Sequence, residues 1–160
     1  MKKYLGPLAG GFIAGVIIAG IIFWSIMPSL MLNVHKSKLG FEETVSTINE
    51  NALNSGWMVP KIYNIQKSLV NSGHSDMTRL KIISLCQPDH AYNILKDDDN
   101  KKVSAIMPCR IGVYEGNDGE VYIAEMNMGL MSKMFGGTIA EVMGKVAEEE
   151  SKFVEELISD

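Results

Sequence analysis

The sequence has few cysteines and no basic run, and each shortage excludes a class of protein. Two cysteines among 160 residues exclude a disulfide-rich miniprotein and a four-cysteine zinc site, but leave one bridge open. Hydrophobic residues make up 46% of the chain and charged residues 21%, which excludes a disordered chain. After Lys2 and Lys3, the rest of the chain contains 13 of the 15 basic residues and all 19 acidic residues, so it is acidic. We therefore expect no nucleic-acid partner.

The signature motifs of common enzymes are also missing. The sequence has no phosphate-binding glycine loop, no Gly-x-Ser-x-Gly elbow, no His-Glu-x-x-His and no Cys-x-x-Cys. The local sequence does not supply a nucleophile, a base and an orienting residue together. A hydrolase or transferase is therefore less favoured than a binding module, a redox module or a noncatalytic domain.

The start of the chain is a long apolar segment. Residues 6–27 contain no charged residue, and about 20 apolar residues are enough to span a bilayer as a helix. A cleaved signal peptide is the alternative, but its apolar region is usually about 7–15 residues long and ends at a small-x-small site, which residues 24–31 lack. We predict an uncleaved transmembrane anchor over residues 1–30 and one domain over residues 31–160.

The charges beside this segment predict its orientation. Lys2 and Lys3 favour a cytoplasmic N-terminus, although Lys36 and Lys38 on the other side weaken the bias. The predicted protein therefore crosses the inner (cell) membrane once, through residues 6–27, and its C-terminal domain lies outside the cytoplasm.

The remaining pattern predicts an α+β fold. We expect Pro28 to end the membrane helix, and a compact single domain to follow, with a mixed or antiparallel sheet and two to three packed helices. One helix begins near Phe41, a second at Pro88, and a third at a capping box formed by Thr138 and Glu141. The predicted strands cover residues 31–38, 57–65, 80–85, 103–107, 110–115 and 120–126.

The two cysteines are the first candidates for a functional site. Cys86 ends a buried strand just before a helix start, where the helix N-terminus favours a thiolate, and His90 follows four residues later. Cys109 follows Pro108, which interrupts a strand pattern. These three residues are candidate redox residues or ligands for a soft metal ion or haem. Alternatively, both cysteines are small buried hydrophobic residues, a common environment for a free thiol.

A run of methionines is the second candidate. Thioethers can bind Cu(I), so the run is a candidate copper site. Packing in the core is the stronger interpretation, because methionine fills irregular cores well and no histidine is interleaved with the run. The four residues are Met126, Met128, Met131 and Met134.

Several segments of the chain resemble one known family. The segments are FEETV at 41–45, SGW at 55–57, LCQPDHAY at 85–92 and MPCRIGVYE at 107–115. In this order and spacing they resemble the domain of unknown function 302 family, and the tail at 127–144 resembles a membrane-anchored bacterial subgroup of it. The resemblance implies a compact α/β fold that forms a homodimer, and it implies no established activity.

The resemblance also favours a shared site for Cys86 and Cys109, because both lie in the matching motifs. Two functions then remain. The first is a membrane-anchored extracytoplasmic module that uses these cysteines, with or without His90, for redox chemistry or to hold a soft metal ion or haem. The second is a noncatalytic dimeric structural or interaction domain stabilised by a Cys86–Cys109 disulfide.

Overall fold

The computed structural model describes residues 5–159, which divide into two units, one ending at Met31 and one beginning at Leu32. The first unit contains the helix α1, Leu5–Leu30. Its segment Gly11–Leu30 has a mean hydropathy of 2.1 and is long and apolar enough to cross a membrane. The prediction that Pro28 ends this helix was wrong, since the helix continues to Leu30. A proline removes one N–H donor, and the helical form can continue for a short distance beyond it.

The second unit contains a five-stranded sheet in which all neighbouring strands are antiparallel. The strands occur in the spatial order β1-β5-β4-β3-β2. Their bounds are β1 Leu32–Lys36, β2 Met58–Asn64, β3 Leu80–Cys86, β4 Cys109–Glu115 and β5 Val121–Met126. The α+β class and the antiparallel form of the predicted sheet are confirmed, and the register of the edge strand β2 shifts between Met58 and Lys61, around Pro60.

The helices of this unit are more numerous than predicted. Residues 32–159 contain five α-helices and two 3-10 helices rather than two to three helices. The α-helices are α2 Phe41–Asn54, α3 Ile65–Asn71, α4 Pro88–Leu95, α5 Met128–Met134 and α6 Gly137–Val154, and the 3-10 helices are Asp98–Ile106 and Glu155–Leu157. The helices α3 and α5 have seven residues each, which is too short for a clear apolar period.

Two local predictions were wrong. The segment 103–107 was expected to be a strand, but most of it lies in the first 3-10 helix, where the side chain of Asp97 accepts a hydrogen bond from the Asp99 N–H. The acidic residues Asp97, Asp98 and Asp99 therefore lie at the start of this helical segment. Thr138 forms no capping box, because α6 begins at Gly137, after Gly136, and has no side-chain cap.

The core lies on one face of the sheet. Ile83 and Leu85 of β3 and Ile111 and Val113 of β4 are fully buried on this face, and α2 packs against β2, β3 and β4 as well as against α6. Side chains of directly paired strand residues lie on the same face of a sheet. Because Leu85 pairs with Cys109, this register assigns Cys109 to the same face as Leu85.

The opposite face of the sheet carries an uncharged row. Strand pairing aligns one residue from each of the five strands, and alternation along the strands assigns them to the face opposite Ile83. The row consists of Val34, Ala124, Gly112, Ile82 and Tyr63. Its two ends, Val34 and Tyr63, are 50% and 40% exposed. We refer to these five residues as the open-face row.

Candidate functional site

The two cysteines lie at one end of the sheet. Cys86 is the last residue of β3, and Cys109 is the first residue of β4 and pairs with Leu85, the neighbour of Cys86. Both are half-buried free thiols, and both line the same cavity of about 50 Å³. Residues that are 23 positions apart in the sequence are therefore brought to one site by the pairing of two strands.

The ends of the neighbouring elements determine where these thiols lie. Gln87 caps the N-terminus of α4, because its side-chain oxygen accepts a hydrogen bond of 2.8 Å from the His90 backbone N–H. Pro88 occupies the first turn of that helix, a position that suits its fixed φ. The chain therefore turns from strand to helix immediately after Cys86. On the other side, a cis Met107–Pro108 bond precedes Cys109.

The cavity between the cysteines is small and mostly apolar. Its other lining residues include Trp57, His90 and Met128. Pockets for small organic ligands usually enclose roughly 300–1,000 Å³. A cavity of about 50 Å³ has room for an ion or for the attack of one sulfur on another, and it does not fit haem.

A buried carboxyl group lies near Cys109. Glu150 of α6 is only 6% exposed. Burial and the negative charge of Glu150 raise the pKa of Cys109 well above its ordinary value. Burial also raises the pKa of Glu150 to about 7, and the charge of Glu125 adds to this shift, while the nearby Cys109 thiol opposes it. Cys109 and Glu150 also line a second cavity, of about 150 Å³.

Glu125 is a second carboxyl group inside the fold. It lies on β5 opposite Ile111, on the face of the sheet that carries the core. Burial raises its pKa, while a hydrogen bond from Asn33 and the charge of His35 oppose the shift. Within the described part of the chain, its Oε2 atom is buried and has no hydrogen-bond partner.

Sequence reasoning missed both carboxyl groups, although a signal for each was present. Glu125 follows Val121 and Ile123 in the alternation of β5, at an inward position. Glu150 lies four residues after Val146 and three before Phe153, in the apolar stripe of the last helix. An acidic residue at an apolar position of a periodic pattern is therefore the sequence signal that could have identified these two carboxyl groups.

His90 is held by a different partner. Its Nε2 atom lies 3.0 Å from Oε1 of Glu149, and the Trp57 Nε1–H donates a hydrogen bond of 2.8 Å to the other carboxylate oxygen. Burial opposes the ionisation of Glu149, but these two hydrogen bonds outweigh it and lower the pKa of the carboxyl. Among the described residues, no three His, Cys, Asp or Glu side chains form a group that could hold a metal ion. The three predicted residues, Cys86, Cys109 and His90, nevertheless line one cavity.

The methionine run is divided among three environments. Met128 lines both cavities that contain Cys109, and Met126 lines the second of them. Met131 is buried in the core, whereas Met134 is 56% exposed. Two of the four predicted thioethers thus lie near the cysteines.

Comparisons with known proteins give a family and a fold. The family model described as "Domain of unknown function DUF302" matches residues 33–157. The crystal structure of the uncharacterized conserved protein DUF302 from Bacillus stearothermophilus is similar, with a TM-score of 0.70 and 20% identity over 79% of this chain and 98% of that chain. At this identity the similarity shows the fold alone. No curated protein matches the chain.

Proposed function

Because the chain belongs to the family described as Domain of unknown function DUF302, whose name assigns no activity, we propose its function from the site. The proposed protein is a membrane-anchored domain outside the cytoplasm that exchanges disulfide bonds through Cys86 and Cys109. The observation that carries this proposal is that the two cysteines of the chain line one cavity, at the adjoining ends of β3 and β4. The long apolar helix α1 supports the anchor.

The proposed reaction has two steps and a disulfide of a partner protein as its oxidant. First, the Cys86 thiolate attacks one sulfur of that disulfide, whose S–S bond breaks, and the second partner sulfur leaves as a thiolate. Cys109 then attacks the sulfur of Cys86 in the mixed disulfide. A Cys86–Cys109 bond forms, the first partner sulfur leaves, and two electrons have passed to the partner. A dithiol reductant reverses the cycle.

The surroundings of each thiol support this division of roles. Cys86 lies immediately before the N-terminus of α4, at the positive end of the helix dipole. Cys109 stays protonated until a base removes its proton, because burial and Glu150 raise its pKa. A thiol of this kind suits the second, intramolecular attack, in which its partner sulfur is already close.

A soft metal ion is the second candidate for this site. It is favoured by Met128, whose thioether lines the same cavity as the two thiols. Thiolate and thioether sulfurs are ligands that select Cu(I). In this version the cysteines hold the ion together with Met128, and His90 remains with Glu149.

Thiol chemistry on the full chain in detergent tests the proposal. We expect the oxidised chain to contain one internal bridge that a dithiol reductant opens at a potential above about −300 mV, the value below which structural disulfides lie. Alkylation and mass spectrometry at a series of reductant potentials measure this. A bridge that resists reduction would support the noncatalytic, disulfide-stabilised domain instead.

Two variants and one metal analysis separate the other outcomes. In Cys86→Ser, the Cys109 thiol should react with alkylating reagent at a changed rate, and Cys109→Ser is the reciprocal control. Equal, independent reactivity of both thiols, unaffected by either variant, would contradict a shared site. One equivalent of Cu(I) that protects both thiols from alkylation, and binds less tightly to Met128→Leu, would favour the metal site.

A further inference from the structure

Two carboxyl groups inside the fold have no role in the proposed disulfide exchange. Glu150 of α6 is 6% exposed, and Glu125 of β5 has a buried Oε2 atom without a hydrogen-bond partner in the described part of the chain. Both residues line a third cavity, of about 200 Å³, which neither cysteine lines. We propose that Glu125 and Glu150 together bind one hard divalent cation, Mg²⁺ or Mn²⁺, in this cavity.

The protein itself does not compensate the charge of these two groups. Within residues 5–159, no ion pair includes Glu125 or Glu150, and the Glu150 side chain makes no hydrogen bond. Arg110 shares the cavity of about 150 Å³ with Glu150, but its side chain is exposed, and no basic residue lines the third cavity. A buried carboxylate is costly unless a cation or hydrogen-bond donors compensate it. A buried polar atom without a protein partner is therefore a place where a bound ion or water is expected.

Strand pairing adds a neutral oxygen ligand to the two carboxyl groups. Asn33 of β1 lies directly opposite Glu125 in the sheet, and it lines the same cavity. Side chains of directly paired residues lie on the same face of a sheet, so the Asn33 amide lies beside the Glu125 carboxyl. Carboxylate, amide carbonyl and water oxygens are the ligands that hard divalent cations prefer. The proposed site therefore offers two acidic ligands and one neutral ligand.

The size of the cavity suits an ion that keeps part of its water shell. Mg²⁺ loses its waters reluctantly and is usually held through one or two carboxylates, with waters as further ligands. Roughly 10–15 Å³ of cavity space admits one water, so a cavity of about 200 Å³ can hold the ion and several waters. Met126 and Met128 also line this cavity, but thioether sulfur is a soft ligand that does not select a hard cation. The site is therefore distinct from the sulfur site proposed for Cu(I).

Manganese binding to the metal-free full chain in detergent tests the inference. Free Mn²⁺ gives a sharp electron paramagnetic resonance signal that is lost on binding, so the signal measures the free ion directly. We expect the wild type to bind one equivalent with a Kd of about 1 mM or tighter, the weakest value usual for extracellular cation modules. Excess Mg²⁺ should displace the bound Mn²⁺ and restore the signal. Glu125→Gln and Glu150→Gln should each weaken binding at least about tenfold, the smallest usual effect of removing a group that only supports a metal ligand.

Two controls distinguish this site from other places where a cation could bind. Glu148→Gln removes an exposed charge from the same helix and should leave the affinity for Mn²⁺ unchanged. Mn²⁺ should also leave the rate of alkylation of Cys86 unchanged, because Cys86 does not line the third cavity. Far-UV circular dichroism without metal checks that each variant has folded.

The inference is overturned if the wild type binds no Mn²⁺ at about 1 mM, or if Glu125→Gln or Glu150→Gln keeps the wild-type affinity. An equal loss in Glu148→Gln would mean that Mn²⁺ binds unspecifically to the acidic surface, and protection of Cys86 would place the ion at the thiols. Either result would also overturn the proposed site. None of these results would affect disulfide exchange, which the site does not require.

Discussion

At the scale of single residues, the burial of Glu150 makes the stability of the fold depend on pH. It occupies a core position of α6, and burial raises its pKa from 4.5 to about 7. A carboxyl with a higher pKa in the folded state binds protons more tightly there, so the fold loses stability as the pH rises from about 4.5 to about 7. Above pH 7 the loss is constant, and a shift of this size corresponds to about 3 kcal/mol.

The Glu150→Gln variant removes this dependence. We expect the variant to have a higher free energy of unfolding than the wild type. This difference should be larger at pH 8 than at pH 5, by up to about 3 kcal/mol. Urea unfolding of the full chain in detergent at the two pH values measures the difference. Glu148→Gln, at an exposed position, is the control and should show no such change. An equal effect of Glu150→Gln at both pH values would contradict the raised pKa of Glu150 in the folded protein.

At the scale of elements, the turn between β4 and β5 depends on one glycine. The Gly119 N–H donates a hydrogen bond of 3.0 Å to the carbonyl of Gly116, and the Glu120 N–H donates one of 3.1 Å to the side chain of Asp118. Gly119 has a φ of +80°, a conformation that side chains disfavour, although no atom lies within 4 Å of an added Cβ. The backbone alone therefore sets the effect of a substitution.

We predict that Gly119→Ala lowers the free energy of unfolding by about 1–2 kcal/mol, the usual difference for a left-handed residue with a Cβ. Gly144→Ala is a matched control of opposite sign. Gly144 lies inside α6 and also has open space around an added Cβ, so alanine should stabilise the helix by up to about 1 kcal/mol. Urea unfolding of both variants measures the pair. A neutral Gly119→Ala would show that the turn relaxes to another conformation.

The elements also show which features a sequence can predict. The apolar period of α2 and the turn at Asn117–Gly119 depend on neighbouring residues, so both were predictable. The 3-10 helix at Asp98–Ile106 was predicted in part as a strand, because a strand and a short helical run with few apolar residues have no distinct period.

The candidate site depends on contacts between distant segments. Strand register brings Cys86 to Cys109, and helix packing brings Glu149 to His90 and Trp57, partners that are 59 and 92 positions away. No local pattern contains these distances, so the sequence indicated that His90 lies near Cys86 but not that Glu149 and Trp57 are its neighbours. Glu150 could have been singled out as an acidic residue in an apolar stripe, but its place beside Cys109 in one cavity could not.

At the scale of the whole molecule, the open-face row is the surface on which we expect a second copy to pack. The row crosses five strands that lie about 4.8 Å apart, so it extends roughly 20 Å without a charged residue. Two such faces can pack at about 10 Å, as in a β-sandwich.

We predict that residues 32–160 fold without α1, since they form a separate unit, and that they sediment as a dimer at micromolar concentration. Ala124→Lys places a charge in the row and should give a monomer, whereas Ser46→Lys, on the exposed side of α2, should remain a dimer. Sedimentation equilibrium distinguishes these states. A wild-type monomer would exclude the dimer and leave the predicted fold unaffected, and an Ala124→Lys dimer would place the interface elsewhere.

The orientation of the whole chain determines whether disulfide exchange has a suitable environment, since disulfides persist in oxidising compartments outside the cytoplasm. Lys2 and Lys3 precede the apolar helix, and we predict a cytoplasmic N-terminus and an uncleaved chain that keeps residues 1–27. A reporter that is active only outside the cytoplasm, fused after the last residue, should be active, and a reporter active only inside should be silent. Deleting residues 1–30 should reverse both signals, and the mass of the purified full chain should include its N-terminus. The reverse pair of signals from the full chain would place the cysteines in a reducing compartment, where a lasting Cys86–Cys109 bridge is not expected.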